Sequence, residues 1–315
     1  MWAFADDEAV EMLVIHRFAH NRRPPARPEC ARADVAPSPQ VDRWVLLAAS
    51  TLLLTLTAGQ VRAQDSVQIY PAGLPDVQPR KVVPFDTGER LTYDVRFGGI
   101  KVGTGRMEVV GTQDIRGRES WHTRFTVKGG IPFYKVNDRL ESWIDTRTFE
   151  SLRFVQDLEE GSRDRERFYE IFPERATYSE KGEVEHAPSV DDPLDDAAFL
   201  YFVRTIPLEV GKTYEFNRYF RPDRNPVKIR VLRKERVKVP AGTYETVVIQ
   251  PVIKSKGIFS EKGHAEMWLT DDPRRLLVQM KTDLSIGSLS LYLRGYVPGT
   301  LSMATGDDDQ PAKPK

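Results

Sequence analysis

The sequence predicts a mainly all-β protein: a large curved antiparallel sheet, barrel or half-barrel in form, with one buried or covering helix near 192–206. Three observations carry that expectation. Apolar and polar residues alternate with a period of two along much of the chain, the mark of strands with one buried and one wetted face. Short glycine-bearing connections such as Phe97-Gly98-Gly99 and Arg116-Gly117-Arg118 separate these runs, as hairpins require. One segment, Asp191 to Ile206, breaks the alternation and carries helical signals instead.

Taken in chain order, residues 1–42 are rich in Arg, Pro and Ala and read as a leader that is disordered or lies upstream of the true translation start near Val41. Arg43 then precedes the apolar run Trp44–Ala58 and the site V-R-A at Val61–Ala63. Residues 43–63 therefore read as a signal peptide cleaved after Ala63. The run is shorter than the ~20 apolar residues of a spanning helix, so no stable membrane anchor is expected after processing. The only cysteine, Cys30, lies upstream. A mature chain without cysteine has no disulfide, thiolate metal site or thiol nucleophile, and suits a bacterial periplasm. The stretch 64–84, with Pro71, Pro75, Pro79 and Pro84, reads as an extended linker.

Residues 85–303 form the predicted single β-rich domain. Leu91, Tyr93, Val95 and Phe97 alternate with Thr92, Asp94 and Arg96; Trp121, Thr123, Phe125 and Val127 alternate with His122, Arg124 and Thr126. Val227, Ile229 and Val231 repeat the pattern, as do Leu289, Leu291 and Leu293. With weaker runs the chain holds about a dozen strands. Alternating rather than uniformly apolar strands point to an antiparallel sheet, and that many strands curl or fold into layers. In the helical segment Asp192 is the expected N-cap, Pro193 the first helical residue, and Asp195 and Asp196 dipole-favoured acids. Its residues are apolar nearly all round, so the helix is expected to lie buried across the concave side of the sheet. The stretch V-P-A-G-T-Y-E-T from Val239 reads as a tight turn with a bulge, Pro240 setting φ and Gly242 taking a left-handed conformation. The tail 304–315 is expected to be disordered.

Four stretches together resemble one family. V-P-A-G-T-Y-E-T, Y-D-V-R-F-G-G-I-K-V-G from Tyr93, D-P-L-D-D-A-A-F-L-Y-F-V-R from Asp192 with I-P-L-E-V-G-K from Ile206, and M-W-L-T-D-D-P-R-R-L-L-V from Met267 resemble the bacterial domain-of-unknown-function 3108 family over roughly residues 85–300. The resemblance implies an exported, β-rich protein of Gram-negative bacteria with no assigned activity or catalytic residues. A curved sheet with a helix on its concave side is also similar to the outer-membrane lipoprotein carriers, a likeness of fold only.

The bulk charge excludes one class of partner. Forty-six basic and 46 acidic side chains cancel, whereas nucleic-acid binders show a basic excess or stripe. The downstream histidines His122, His186 and His264 lack metal-ligand spacing, and His122 is expected to face solvent. Asp191, Asp192, Asp195 and Asp196 are explained by capping without Ca²⁺. The charged turn Asp157–Arg167 reads as a solvated hairpin, with Arg163, Arg165 and Arg167 as an alternative anion-recognition surface. No nucleophile elbow or phosphate loop occurs, and no cofactor is expected. Phe199, Phe202, Trp121 and Phe125, with Trp143, Phe133 and Tyr134, are candidates to line an apolar cavity or simply to fill a core. The expected function is a non-enzymatic periplasmic protein binding a lipid, glycan or envelope protein on its curved sheet. The alternatives are a hydrolase of envelope polysaccharide with carboxylates that sequence does not single out, or an envelope assembly scaffold.

Overall fold

The computed structural model describes residues 80–132, 134–181, 183, 186–254, 264–284 and 287–300. The leader, the signal segment with its Ala63 site, the tail from 304, Phe133 and most of the proline-rich stretch lie outside them. Among the described residues fourteen strands make one sheet in the order β8-β7-β6-β5-β4-β3-β2-β1-β14-β13-β12-β11-β10-β9. The first eight are β1 (Arg90–Phe97), β2 (Ile100–Ile115), β3 (Arg118–Ile131), β4 (Tyr134–Asp145), β5 (Ser151–Glu160), β6 (Arg163–Phe172), β7 (Thr177–Glu180) and β8 (Ala187–Pro188). The remainder are β9 (Thr213–Phe216), β10 (Val227–Val239), β11 (Gly242–Val252), β12 (Glu266–Thr270), β13 (Leu277–Leu284) and β14 (Gly287–Val297).

Every neighbour in the ladder is antiparallel, as the alternation predicts. Each strand lies beside its sequence neighbour, and the two meanders join where β1 pairs with β14. Register shifts at Thr92/Tyr93, Val95/Arg96, Val109/Gly111 and Val231/Arg233 mark bulges, which bend long strands and raise their twist. The edges β8 and β9 do not pair. They are tied by the chain that leaves each: Leu194 N–H donates to Arg218 O at 2.5 Å, Phe220 N–H to Leu194 O at 3.0 Å, and Ser189 Oγ to Phe220 O at 2.7 Å. The sheet is curled but not closed.

The link from β8 to β9 carries the helix α1 (Asp196–Phe202). Its side chains reach both halves of the sheet. Tyr201 packs edge-on against Phe85 at 4.9 Å, Phe202 against Phe216 of β9 at 5.0 Å, and its cap Asp195 bonds Ser142 of β4. All seven residues are buried, and each large apolar side chain so removed from water contributes about 1.5–3 kcal/mol. The helix is shorter than 192–206, and Asp195, not Asp192, is the N-cap, with its carboxylate accepting from Ala198 N at 2.8 Å. The reason is tertiary. Leu194 spends both backbone groups on Arg218 and Phe220, beyond the end of β9, so the chain stays extended until Asp195. The acid cluster is thereby split: Asp191 and Asp192 are exposed, Asp195 and Asp196 buried.

The described end of the proline-rich stretch, from Arg80, is held against the domain. Lys81 N–H donates to Thr146 O at 2.7 Å, and Arg80 pairs with Glu119. Between β10 and β11 the turn is Pro240-Ala241, and Val239 pairs directly with Gly242. Gly242 has φ +144°: positive, as expected, but beyond the left-handed helical region, because the ladder resumes at the glycine itself.

Candidate functional site

Strand register lays the polar face out in transverse rows. Thr92 of β1 faces Arg106 of β2, which faces Thr126 of β3, then Arg139 of β4, then Asp157 of β5. A second row runs Asp94, Thr104, Lys128, Asn137, Glu159, and a third Glu108, Arg124, Glu141. All point away from α1, since the intervening Leu91, Met107, Phe125 and Leu140 are in the core. Over the rows lies a groove of about 800 Å³ bordered by five cations, Arg106, Arg124, Lys128, Arg139 and Arg294, and two carboxylates, Glu108 and Asp157. Thr92, Thr104, Thr126 and Asn137 supply hydroxyl and amide groups along its floor.

The charges are partly matched. Arg124 Nε donates to Glu141 Oε1 at 2.6 Å, Arg139 to Asp157 at 2.9 Å, and Arg294 lies 3.5 Å from Asp94. Lys128 is exposed and makes no ion pair among the described residues. The arrangement offers hydrogen-bond donors in rows, with cations at the ends of long side chains. That chemistry suits a hydroxyl-rich ligand bearing phosphate or carboxylate groups.

His122 lies two residues before Arg124 on the same face of β3, and it is buried rather than solvent-facing. The polar-face position is as the alternation predicts. Burial arises because the residue directly across the ladder is Trp143, whose ring stacks on the imidazole at 4.4 Å and 5°. His122 Nε2 lies 3.1 Å from Glu141 Oε1, and Arg153 sits over the far side of the cluster, 5.5 Å from the Trp143 ring. Burial pushes the Glu141 carboxyl up, but hydrogen bonds from His122 and Arg124 outweigh it and hold the group down at about 2. Glu141 is thus an anion throughout the physiological range. Sequence reasoning missed this cluster, since its one signal is a cross-strand pairing that needs the register.

The four aromatic candidates lie on the opposite face. Trp121 and Phe125 of β3 and Phe199 and Phe202 of α1 are all buried. Trp121 meets Phe85 at 5.3 Å and Phe149 at 6.2 Å, and Phe149 meets Phe202 at 6.2 Å, so Trp121 and Phe202 belong to one aromatic stack. The space beside Phe199 and Phe202 is about 10 Å³, about one water in size. Trp143 belongs to a small separate cluster with Ile115, Leu152 and Val155. Pro240 and Gly242 sit in the β10–β11 turn. Arg163 of the charged hairpin is exposed, while Arg167 bonds Tyr169 at 3.3 Å.

The buried acids beside α1 are structural in their contacts. Asp195 accepts from Ser142 Oγ at 2.6 Å, and burial raises its carboxyl to about 6 despite that bond and the cap. Asp196 accepts from Tyr219 Oη at 3.0 Å and from Gln156 Nε2 at 3.3 Å. Among the described residues no group of three His, Cys, Asp or Glu converges as a metal ion needs, and no helix is long and apolar enough to cross a membrane.

A family model described as "Protein of unknown function (DUF3108)" matches residues 92–294. Among solved structures the chain is similar to a β-barrel-like protein of domain of unknown function DUF1849 from Brucella abortus, with 12% identity, TM-score 0.44, and coverage of 69% of this chain and 99% of that one. It is also similar to a candidate lipoprotein from Parabacteroides distasonis, with 10% identity, TM-score 0.32, and coverage of 68% and 98%. A third is a candidate exported protein with a YmcC-like fold from Bacteroides fragilis, at 12% identity, TM-score 0.28, and coverage of 70% and 100%. No curated protein matches the sequence significantly.

Proposed function

The chain belongs to the DUF3108 family of proteins of unknown function, and on that premise we propose that it is an exported, periplasmic, non-enzymatic binding protein that takes its ligand on the polar face of the sheet. The ligand class is an anionic envelope glycan: hydroxyl groups for the threonine rows, phosphate or carboxylate for the cations. The observation that carries the reading is the groove of about 800 Å³ bordered by five cations, of which the four arginines share Asp94, Glu108, Glu141 and Asp157 and Lys128 is left over. Pockets of roughly 300–1,000 Å³ are the usual scale of small-ligand sites. The apolar face argues the same way from the other side, because its aromatics are used on one another and leave space only on the order of one water beside α1. Export is supported by the Trp44–Ala58 run and the V-R-A site.

The test is calorimetric titration with a phosphorylated oligosaccharide and with the same oligosaccharide after phosphatase treatment. Binding of the phosphorylated form should fall at least tenfold on Arg106→Glu or Arg294→Glu, and should weaken with salt as partly exposed charges are screened. Equal affinity for both forms, or none lost in either variant, rules the groove out as the binding site.

A further inference from the structure

Two neighbouring hairpin tips at one rim of the sheet leave aliphatic side chains in water. Ile100, which opens β2, is 73% exposed, and Ile131, which closes β3, is 40% exposed. Single exposed aliphatics are ordinary on protein surfaces; these two are set apart by their neighbours. The β2–β3 ladder ends at the pair Gly103–Gly129, and the two isoleucines lie just beyond that pair on either strand. A Cβ at Gly129 would stand 2.3 Å from Val102 O, and one at Gly103 2.4 Å from Lys128 O. Only glycine permits this approach, so the two tips form one joined rim rather than two separate loops.

On these two tips themselves the side-chain charge has one sign, while Glu159 and Glu160 stand on the next strand across from Asn137 and Val136. Lys101, Lys128 and Lys135 are exposed beside the isoleucines, and neither Phe97–Gly103 nor Lys128–Val136 contains an Asp or Glu. Lys101 reaches back to Asp94 at 2.6 Å, while Lys128 and Lys135 make no ion pair among the described residues. Like charges oppose self-association through this rim. Aliphatic side chains ringed by lysines match a surface that is apolar below and anionic above.

We propose that this rim docks the protein reversibly on an anionic bilayer, with Ile100 and Ile131 entering the boundary between headgroups and acyl chains and the three lysines meeting anionic headgroups. Each lysine held near such a surface raises partitioning roughly fivefold, and two aliphatic side chains add the shallow apolar insertion typical of peripheral proteins. The inference is independent of the groove except at Lys128, which borders both, so its test avoids that residue.

The full chain is used in a Cys30→Ser background, with an environment-sensitive nitrobenzoxadiazole label on Pro132→Cys at the rim or on Arg147→Cys at the far end of β4. Vesicles of 7:3 phosphatidylethanolamine and phosphatidylglycerol are compared with phosphatidylcholine vesicles. A label read at one position separates rim insertion from any contribution of the Trp44–Ala58 run. The label at 132 should shift to the blue and brighten severalfold on the anionic vesicles while that at 147 stays unchanged. Lys101→Gln with Lys135→Gln should raise the lipid concentration at half-response roughly twentyfold, Ile100→Ser with Ile131→Ser should abolish the response, and Arg106→Glu in the groove should leave it intact. The proposal is overturned by a silent label at 132, by equal responses at 132 and 147, by insensitivity to the isoleucines, or by a response that grows with protein concentration without vesicles. The last result would assign the rim to a second copy of the chain.

Discussion

Replacing Arg204 with methionine should cost this fold a large part of its stability, and the size follows from the contacts. The Arg204 side chain is 0% exposed and that of Glu89 2%. Its guanidinium donates to Glu89 Oε1 at 2.6 Å and Oε2 at 2.9 Å, and also to Pro84 O and Arg274 O, both at 3.0 Å. One side chain thus clasps the stretch entering β1, the end of α1 and the β12–β13 turn. Arg204→Met leaves the Glu89 carboxylate buried and unmatched, which costs about 3–5 kcal/mol. The two carbonyls lose a charged donor as well, at about 1 kcal/mol each. Glu89→Leu with Arg204→Met removes both charges and keeps only the carbonyl loss, so the double variant should be about 3–5 kcal/mol more stable than Arg204→Met alone. Urea unfolding followed by tryptophan fluorescence reads both, with Trp121 in the adjoining aromatic stack as reporter. A single variant that loses less than 1 kcal/mol, or a double variant whose loss is the sum of the two singles, would refute the clasp.

Two further perturbations test other parts of the core. Burial raises the Asp195 carboxyl from 3.8 to about 6, so the folded protein holds the proton more tightly than the unfolded chain. Stability should therefore fall as pH rises from about 4 to 6, by up to about 3 kcal/mol in all, and Asp195→Asn should flatten that slope in urea titrations at successive pH values. Phe149 is fully buried yet has φ +65°, a region that costs a side-chain-bearing residue roughly 1–2 kcal/mol. Phe149→Ala should lose about 3–5 kcal/mol of packing, whereas Phe149→Gly should be more stable than the alanine variant, reversing the usual ranking; thermal denaturation orders the pair.

Much of the fold is written in local alternation. The rows Leu91/Tyr93/Val95 and Trp121/Phe125/Val127 point inward as their spacing demands, and the departure of Asp191–Ile206 from that spacing marks the helix. What local reading misses is whatever pairing decides. Asp192 and Pro193 carry better opening signals than Asp195, yet the hydrogen bonds of Leu194 to the β9 side delay the helix past them. His122 sits on the wetted face by parity, but Trp143 opposite it closes the lid. The groove is the largest gap between the two readings. Thr92, Arg106, Thr126, Arg139 and Asp157 are spread over five strands, each an unremarked polar residue of its own strand, and become a row only through four successive registers. Phe149 in its unusual backbone conformation has no counterpart in any composition rule; the aromatic stack beneath it holds it there.

The seam between β1 and β14 bears on how this polypeptide comes into being. The earliest and latest segments of the ladder are partners in the middle of the array, with Arg90 across from Val297. Until the final stretch has left the ribosome, the array is two halves with raw margins where its centre belongs. Chain connectivity of this kind delays completion, because the central pairing must wait for the last strand.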